Sequence, residues 1–251
     1  MKVHFIGAGP GDPDLITVRG KSIISNSPVC LYAGSLVPKE IIQFAPKDSK
    51  VIDTSSMTLP EIITEIKLAH QESLDVARVH SGDPSLYGAI GEQMNELNKL
   101  GIDYDIVPGV PAFSAAAAAL KMEFTIPGIV QTVILTRTSS KSSPMPDGEE
   151  LSKLAETGAT LAIHLSIRNL RAILRTLIPI YGNSCPIIVA YRVGWPDQMM
   201  IADDLDGIYN KVRLAKITRT ALILVGPGLN KNMNINSSLY SPDHKHLFRP
   251  K

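Results

Sequence analysis

Three times in its first 120 residues the chain repeats one arrangement. A short apolar run ends in a turn rich in glycine and proline, and a longer segment with helical spacing follows. The three apolar runs are Val3–Ile6, Val76–His80 and Tyr104–Val107, and the turns after them are residues 7–12, 81–84 and 108–111. Strands that alternate with helices favour a parallel sheet and the α/β class. Because carboxyl ends of neighbouring parallel strands share one edge, we expect the three turns to lie together.

The second half of the chain repeats this alternation with other turns, which predicts two α/β domains, residues 1–120 and residues 121–251, the second with an irregular tail. Further strands are predicted at Val29–Tyr32, Val51–Asp53, Thr132–Thr136, Thr160–Leu165, Ile187–Tyr191 and Ala221–Val225. Helices are predicted at Pro13–Ser25, Leu59–Glu72, Ser85–Leu100, Ala112–Leu120, Gly148–Glu156 and Ile167–Ile180.

Composition excludes several classes of protein. A formal net charge of +1 over 251 residues lacks the basic excess of a nucleic-acid binder. No apolar stretch approaches the ~20 residues of a membrane span, and glycines interrupt the first apolar run too early for a secretion signal. Cys30 and Cys185 stand in apolar runs, which predicts buried free thiols in a reducing compartment. We therefore expect a cytoplasmic protein without a nucleic-acid or membrane partner.

The first turn, Gly-Ala-Gly-Pro-Gly-Asp, does not match the dinucleotide-binding fingerprint G-x-G-x-x-G. Asp12 occupies the third glycine position and would repel a pyrophosphate, while Pro10 lacks the N–H that would face it. That fingerprint also requires an acidic residue about 20 residues later, where this chain has Tyr32-Ala33-Gly34. A nicotinamide-dependent oxidoreductase is therefore the disfavoured alternative from another class. Asp12 instead resembles a helix N-cap followed by Pro13 at the first helical position.

The second and third turns each allow a structural and a functional interpretation. Asp83 is placed to cap the following helix, or to bind a ribose or amino group of a ligand with its other oxygen. Gly82 permits the close approach of a ligand to the backbone. After Pro111 and Ala112, the small side chains of an alanine-rich helix allow close contact with either a neighbouring element or a cofactor.

Eight runs of residues together resemble the tetrapyrrole (corrin/porphyrin) methylases, over almost the whole chain. They are GAGPGDPDLIT (7–17), LYAGSLVP (31–38), HSGDPSLYGAI (80–90), VPGVPAFSAAAAAL (107–120), QTVILTRTS (131–139), ATLAIHLS (159–166), WPDQ (195–198) and TRTALILVGPGL (218–229). Within the family, the pattern is most similar to the members that methylate C11 of precorrin-4 or of its cobalt form.

This resemblance implies two α/β domains with a cofactor cleft between them, a homodimer, and S-adenosyl-L-methionine as the methyl donor. It assigns cofactor contacts to the three turns of the first half and to three positions in the second. These are Pro10, Ser81, Gly82, Asp83, Leu86, Pro111, Ala112, Leu165, Val193 and Ala221. Some relatives carry Tyr-Asp-Arg where this chain has Tyr32-Ala33-Gly34, so their acidic catalytic residue has no counterpart and the catalytic residue is left unassigned.

Methyl transfer from a sulfonium is an in-line displacement that mainly requires alignment and exclusion of water. Neither a metal nor a catalytic triad is therefore expected. A precorrin carries many carboxylates, which arginine binds well. The candidate substrate contacts are Arg137, Arg192 and Arg219, with Lys141 nearby. Two further alternatives are a tetrapyrrole-binding protein without activity and a methylase of another tetrapyrrole or of the diphthine type.

Overall fold

The computed structural model describes residues 1–139 and 144–230 and, in the tail, residues 241, 245, 247 and 249. Lys141, a candidate substrate contact, lies outside the described residues. The chain divides into two compact units. Unit 1 comprises Met1–Ala116 and Arg192–Gln198, and unit 2 comprises Ala117–Tyr191 and Met199–Lys251. Unit 1 thus takes up a short segment of the second half, and the domain boundary at residues 120 and 121 stays a prediction.

Unit 1 contains a five-stranded parallel sheet in the order β3-β2-β4-β1-β5. Its strands are β1 (Val3–Gly7), β2 (Val29–Tyr32), β3 (Lys50–Asp53), β4 (Val76–His80) and β5 (Tyr104–Val107). Its helices are α1 (Val18–Asn26), α2 (Lys39–Ile42), α3 (Leu59–Gln71) and α4 (Ile90–Leu100), and α5 (Ala112–Leu120) begins in it. All five strands match predicted strands, and the parallel order follows the prediction from the repeated arrangement.

Both faces of this sheet are covered. Along β1, Phe5 packs into the apolar cluster that includes Ile66 of α3 and Leu97 of α4. The next residue, Ile6, points to the opposite face and packs with Ile24 of α1. Successive side chains of a strand point to opposite faces, so a strand that is buried on both sides must be apolar throughout. This explains the short uninterrupted apolar runs of the sequence.

Unit 2 contains a second five-stranded sheet in the order β6-β7-β10-β8-β9. Its strands are β6 (Val133–Arg137), β7 (Thr160–His164), β8 (Pro186–Tyr191), β9 (Met199–Asp204) and β10 (Ala221–Val225). Its helices are α6 (Leu151–Ala155), α7 (Leu170–Tyr181) and α8 (Ile208–Leu214). Only the pair β6 and β7 is parallel, whereas β10 runs antiparallel to both its neighbours and β9 runs antiparallel to β8. The α/β class is confirmed, but this sheet is mixed.

Among the described strands and α-helices, three were not predicted: α2, β9 and α8. The edge strand β9 has mostly exposed or half-buried residues and ends in Asp203 and Asp204, so it lacks the apolar alternation of a strand. Helix α8 buries only Ile208 and Val212. Neither element carries enough apolar periodicity to be recognised locally, and tertiary packing determines both.

Two helix starts differ from the prediction. Asp12 is confirmed as an N-cap whose carboxylate accepts from the Asp14 N–H at 2.9 Å, but it caps a short 3-10 helix, Pro13–Leu15. Helix α1 begins only at Val18. Helix α4 begins at Ile90 rather than at Ser85, because Tyr87 and Ala89 take left-handed backbone conformations that interrupt a right-handed helix.

Both cysteines are buried and free, as the sequence predicts. No helix in the described part of the chain has both the length and the apolar character needed to cross a membrane.

Candidate cofactor site

The three glycine- and proline-rich turns of unit 1 lie at one edge of its sheet. β1 stands between β4 and β5, all three strands are parallel, and their carboxyl ends coincide. The first two turns are bonded directly, since the Gly82 N–H donates to the Gly9 carbonyl at 2.7 Å and the Gly9 N–H donates to the Gly82 carbonyl at 3.3 Å. The prediction that the turns gather at a single edge is therefore confirmed.

Glycine is required where the first and third turns meet. A Cβ atom on Gly7 would lie 2.5 Å from the Gly109 Cα and 2.6 Å from the Gly82 carbonyl oxygen. A Cβ atom on Gly109 would lie 2.7 Å from the Gly7 Cα and still closer to that same oxygen. These neighbours are backbone atoms of a strand end and of the two adjoining turns, not ends of flexible side chains, so they cannot easily move aside. The two glycines therefore let the turns pack backbone against backbone at the sheet edge.

Asp83 holds the second and third turns together. One carboxylate oxygen accepts from the Ser85 N–H at 2.8 Å and from the Ser85 hydroxyl, and the other accepts from the Gly109 N–H at 2.9 Å. Partial burial alone would raise the pKa of Asp83, but the hydrogen bonds from Ser85 and Gly109 outweigh burial and hold that pKa below its usual value. The carboxylate is therefore ionised at neutral pH, and it caps a turn rather than α4.

The structure brings together the unit 1 positions that the family resemblance assigned to the cofactor. Pro10 follows the bridged Gly9, and a Cβ atom on Gly82 would lie 3.9 Å from the Pro111 Cα. The Leu86 N–H donates to the Asp83 carbonyl at 3.2 Å, which closes the turn after the second junction. Ser81 and Ala112 stand beside these residues in the chain and are half-buried. The set forms one contiguous surface at the sheet edge.

Trp195 supports the first turn, a role that the sequence did not reveal. Its Nε1–H donates to the Pro10 carbonyl at 3.1 Å. A Cβ atom on Gly11 would lie 2.9 Å from the Trp195 Cγ and closer still to Nε1, so the indole ring occupies the space beside this glycine. Gly194 packs in the same way against the backbone of Asp12. Val193, a predicted cofactor contact, is buried next to this interaction.

Arg192, a predicted substrate contact, is already engaged within unit 1. Its Nε–H donates to Asp197 at 2.7 Å, and its guanidinium lies 4.2 Å above the ring of Trp195. These residues border an open depression of about 540 Å³ that Asp12 and Glu40 also line. Three carboxylates and one paired arginine thus surround this depression, so its charge does not favour a polycarboxylate ligand. This weakens Arg192 as a substrate contact.

Arg78 is a buried cation that no sequence pattern indicated. It is 3% exposed and its Nε–H donates to Gln93 of α4 at 3.0 Å. Its Nη1 donates to Thr54 at 3.0 Å and to the Leu31 carbonyl at 3.5 Å. Burial lowers the pKa of Arg78 to about 10, so it stays charged at neutral pH. The side chain links β4, β2 and α4 close to the sheet edge at which the three turns meet.

His80, the last residue of β4, is 4% exposed and packs against the ring of Phe5 at a centroid distance of 6.0 Å. Its Nε2 has no hydrogen-bond partner among the described residues. Burial, aided by the charge of Arg78, lowers the pKa of His80 to about 3. The imidazole is therefore neutral throughout the physiological range and does not transfer protons there.

We expect the stability of the protein to fall as the pH is lowered from about 6.5 toward 3. In this window an unfolded histidine binds a proton that buried His80 does not, so acid favours unfolding, by an amount on the order of several kcal/mol. Thermal melting between pH 4 and pH 8 measures the effect. His80→Gln should flatten the pH dependence, whereas His70→Gln, the same change at an exposed histidine of α3, should leave it unchanged. Equal slopes for the two variants would contradict this assignment.

In unit 2, Leu165 and Ala221 lie at one edge of the sheet. β7 and β10 are antiparallel with Ile163 opposite Ile223, which places the end of β7 beside the start of β10. Leu165 directly follows β7, is 74% exposed and has a left-handed backbone with a φ of 54°. A bulky residue rarely adopts this conformation, and such strain often marks a functional position.

The two remaining candidate arginines lie near strand ends of unit 2 in different surroundings. Arg137 is the last residue of β6, and its guanidinium donates to the carbonyls of Thr138 at 3.3 Å and Pro144 at 3.2 Å. Arg219 is exposed in the bend before β10.

In residues 1–139 and 144–230, no cluster of three His, Cys, Asp or Glu side chains is placed to hold a metal ion.

Comparison with known proteins gives concordant results. The family model for tetrapyrrole (corrin/porphyrin) methylases matches residues 2–208. A precorrin-4 C(11)-methyltransferase of Pseudomonas aeruginosa is 51% identical over 250 residues, which cover 100% of this chain and 99% of that protein. The X-ray structure of cobalt precorrin-4 methyltransferase, a cobalamin biosynthetic enzyme, is 40% identical, with a TM-score of 0.89 over 91% of this chain and 96% of that one.

A more distant likeness shows the fold alone. It is the uroporphyrin-III C-methyl transferase of Thermus thermophilus, crystallised with S-adenyl homocysteine. That structure is 22% identical, with a TM-score of 0.74 over 91% of this chain and 99% of that one. The family model, the relatives and the glycine-lined strand edge all agree, and the chain belongs to the tetrapyrrole (corrin/porphyrin) methylases.

Proposed function

We propose that this protein transfers a methyl group from S-adenosyl-L-methionine to C11 of precorrin-4 or cobalt-precorrin-4 in cobalamin biosynthesis. The main support is the 51% identity, over the full length of the chain, to a protein named precorrin-4 C(11)-methyltransferase. A cobalt-precorrin-4 C(11)-methyltransferase of Methanocaldococcus jannaschii is also 41% identical over 99% of the chain. The three turns of unit 1 meet at the carboxyl ends of its parallel strands, which is where α/β sheets of this kind bind their ligands.

The residues present fit S-adenosyl-L-methionine. A Cβ atom on Gly82 would meet only the Pro111 Cα, at 3.9 Å, so the space beside Gly82 leaves room for the flat adenine, and polar groups near Ser81 and Asp83 suit the ribose and amino groups. We assign the cofactor to Pro10, Ser81, Gly82, Asp83, Leu86, Pro111 and Ala112 in unit 1, and to Leu165, Val193 and Ala221 as further contacts. The methionine sulfonium supplies an activated methyl group when bound.

The mechanism requires little from the protein beyond binding and alignment. The nucleophile is a carbon of the substrate ring, so the chain must hold that carbon in line with the methyl group and exclude water. Asp83 and Trp195 keep the glycine-rich turns in place through the hydrogen bonds to Gly109 and Pro10. His80 stays neutral and buried, which removes it as a proton carrier. No residue is assigned as a catalytic acid or base.

Arg219 is the preferred candidate for a substrate carboxylate, because it is exposed and sits two residues before Ala221. Arg137 is the second candidate at the same edge of unit 2. Arg192 is the weakest, since Asp197 already neutralises it. As part of the same proposal, the protein is a cytoplasmic homodimer that acts on a tetrapyrrole without nucleic-acid or membrane partners.

Incubation with methyl-labelled S-adenosyl-L-methionine and either precorrin-4 or cobalt-precorrin-4 tests the function. We expect label at C11 of at least one macrocycle, and the preferred substrate distinguishes the cobalt-free from the cobalt-containing route. Calorimetry with S-adenosyl-L-homocysteine serves as an independent assay of cofactor binding. Binding of the macrocycle without binding of this product would instead indicate a non-catalytic tetrapyrrole-binding protein. Label at another ring position would identify a methylase with a different specificity.

A further inference from the structure

Leu165 is held in a conformation that its own side chain disfavours. A left-handed backbone at a residue with a large side chain is strained and persists only where the surroundings impose it. The side chain is 74% exposed, so core packing does not impose it. In residues 1–139 and 144–230, no hydrogen bond involves the backbone N–H or carbonyl of Leu165. These two backbone groups are therefore available to bind a ligand at the end of β7.

The next residue, Ser166, supplies the constraint. Ser166 is only 1% exposed, and its hydroxyl donates to the His164 carbonyl at 2.7 Å. This bond spans Leu165 and closes a tight turn of the kind that serine side chains form with nearby backbone. The same oxygen accepts from the Thr138 N–H at 2.7 Å and from the Thr138 hydroxyl at 3.0 Å.

Asn169 completes the network from the other side. Its Nδ2 donates to the Thr138 hydroxyl oxygen at 2.8 Å and to the Ser139 carbonyl at 3.2 Å. The Ser166 hydroxyl thus donates one hydrogen bond and accepts two. These bonds connect the turn after β7 to the residues that follow β6. Ser166 is the buried centre of this network, and the loss of its hydroxyl would leave the Thr138 N–H and the His164 carbonyl without the bonds that they make to it.

We propose that Ser166 is a positioning residue that sets the backbone of Leu165 for binding of the methyl donor. The inference rests on the proposed function, which places S-adenosyl-L-methionine against Leu165. The hydroxyl does not touch the cofactor. It acts through the peptide groups of Leu165, whose N–H and carbonyl point toward the ligand only while the left-handed turn is held. Unit 1 uses Asp83 in the same manner, as one side chain that joins two neighbouring strand-end turns.

Ser166→Ala should raise the Kd for S-adenosyl-L-homocysteine about tenfold, because the turn is no longer held. In turnover, KM for S-adenosyl-L-methionine should rise by a similar factor while kcat changes less than about threefold. The matched control is Ser27→Ala. Ser27 is 2% exposed and donates to the Ile23 carbonyl at 2.8 Å, in unit 1 and outside the proposed site. Both variants should lower the Tm to a similar degree, but only the first should weaken binding.

A second variant tests whether the effect depends on the hydroxyl. Ser166→Thr keeps a hydroxyl at this position, so its Kd should stay within about threefold of the wild type. The inference is overturned if Ser166→Ala binds as tightly as Ser27→Ala, or if Ser166→Thr has the Tm of the wild type but binds as weakly as Ser166→Ala. Wild-type protein that fails to bind S-adenosyl-L-homocysteine would instead refute the proposed function, which keeps the two failures distinguishable.

Discussion

Gly109→Ala is expected to abolish binding of S-adenosyl-L-homocysteine and to lower the free energy of unfolding of unit 1 strongly. The new Cβ atom would lie 2.7 Å from the Gly7 Cα and even closer to the Gly82 carbonyl oxygen. Overpacking of a dense interior commonly costs about 1–3 kcal/mol, and here the obstructing atoms are backbone, so we expect the upper part of that range or more. Thermal melting and calorimetry measure the two effects.

The control for this substitution is Gly91→Ala in α4. A Cβ atom on Gly91 would meet no atom within 4 Å, and the residue lies inside a helix. Alanine favours a helix over glycine by about 1 kcal/mol, so this variant should be as stable as the wild type or slightly more stable. It should bind the ligand normally. Normal binding by Gly109→Ala would show that the turns at the sheet edge do not form the cofactor site.

Asp83→Ala is expected to weaken binding of S-adenosyl-L-homocysteine by tenfold or more, while lowering the Tm only modestly. The carboxylate joins the second turn to the third through the Gly109 N–H, and a hydrogen bond to a charged group contributes about 1.5–3 kcal/mol. Asp83→Asn should also lose affinity, because an amide that keeps its oxygen toward Ser85 turns an N–H group toward the Gly109 N–H. Calorimetry and melting of both variants measure these outcomes.

Asp53→Ala is the matched control for Asp83. The Asp53 carboxylate accepts from the Ser55 N–H at 2.8 Å, which repeats the local bond between Asp83 and Ser85 without a bond to a third turn. Asp53→Ala should lower the Tm less than Asp83→Ala, because it loses fewer hydrogen bonds, and its ligand affinity should be normal. If Asp83→Ala binds S-adenosyl-L-homocysteine as tightly as the wild type, Asp83 only caps its own turn.

Local sequence predicted unit 1 better than unit 2. The strands of unit 1 are covered on both faces, so each is a short apolar run that ends at a distinctive turn, as at Ile6 followed by Gly7. In unit 2, β9 lies at the edge of a mixed sheet and α8 buries only two residues, so neither has a strong local pattern. The direction of the strands in unit 2 could not be predicted from the sequence either, because an apolar run has the same composition whether it pairs parallel or antiparallel.

The candidate site, too, could be predicted only in part from local sequence. The family resemblance assigned Asp83, Gly82 and Pro10 to the cofactor, and the first two also stood out as residue types that cap a turn or permit close approach. Trp195, Arg78 and Ser166 carry no such local signal. Trp195 supports Pro10 from 185 positions away in the chain, and Ser166 reaches back 28 positions to Thr138.

The sequence by itself determined the family, the α/β class and the gathering of three turns at one sheet edge. The α/β class and the gathering of the turns follow from backbone stereochemistry and apolar periodicity, which are local properties, whereas the family follows from the resemblance of eight runs of residues. The tertiary structure decided the mixed order of the second sheet, the start of α4 and the bonds of the Asp83 carboxylate to two turns at once. It also revealed the hydroxyl that holds Leu165 in a strained turn. Such features depend on partners that are distant in the chain, and only folding brings those partners within hydrogen-bond distance.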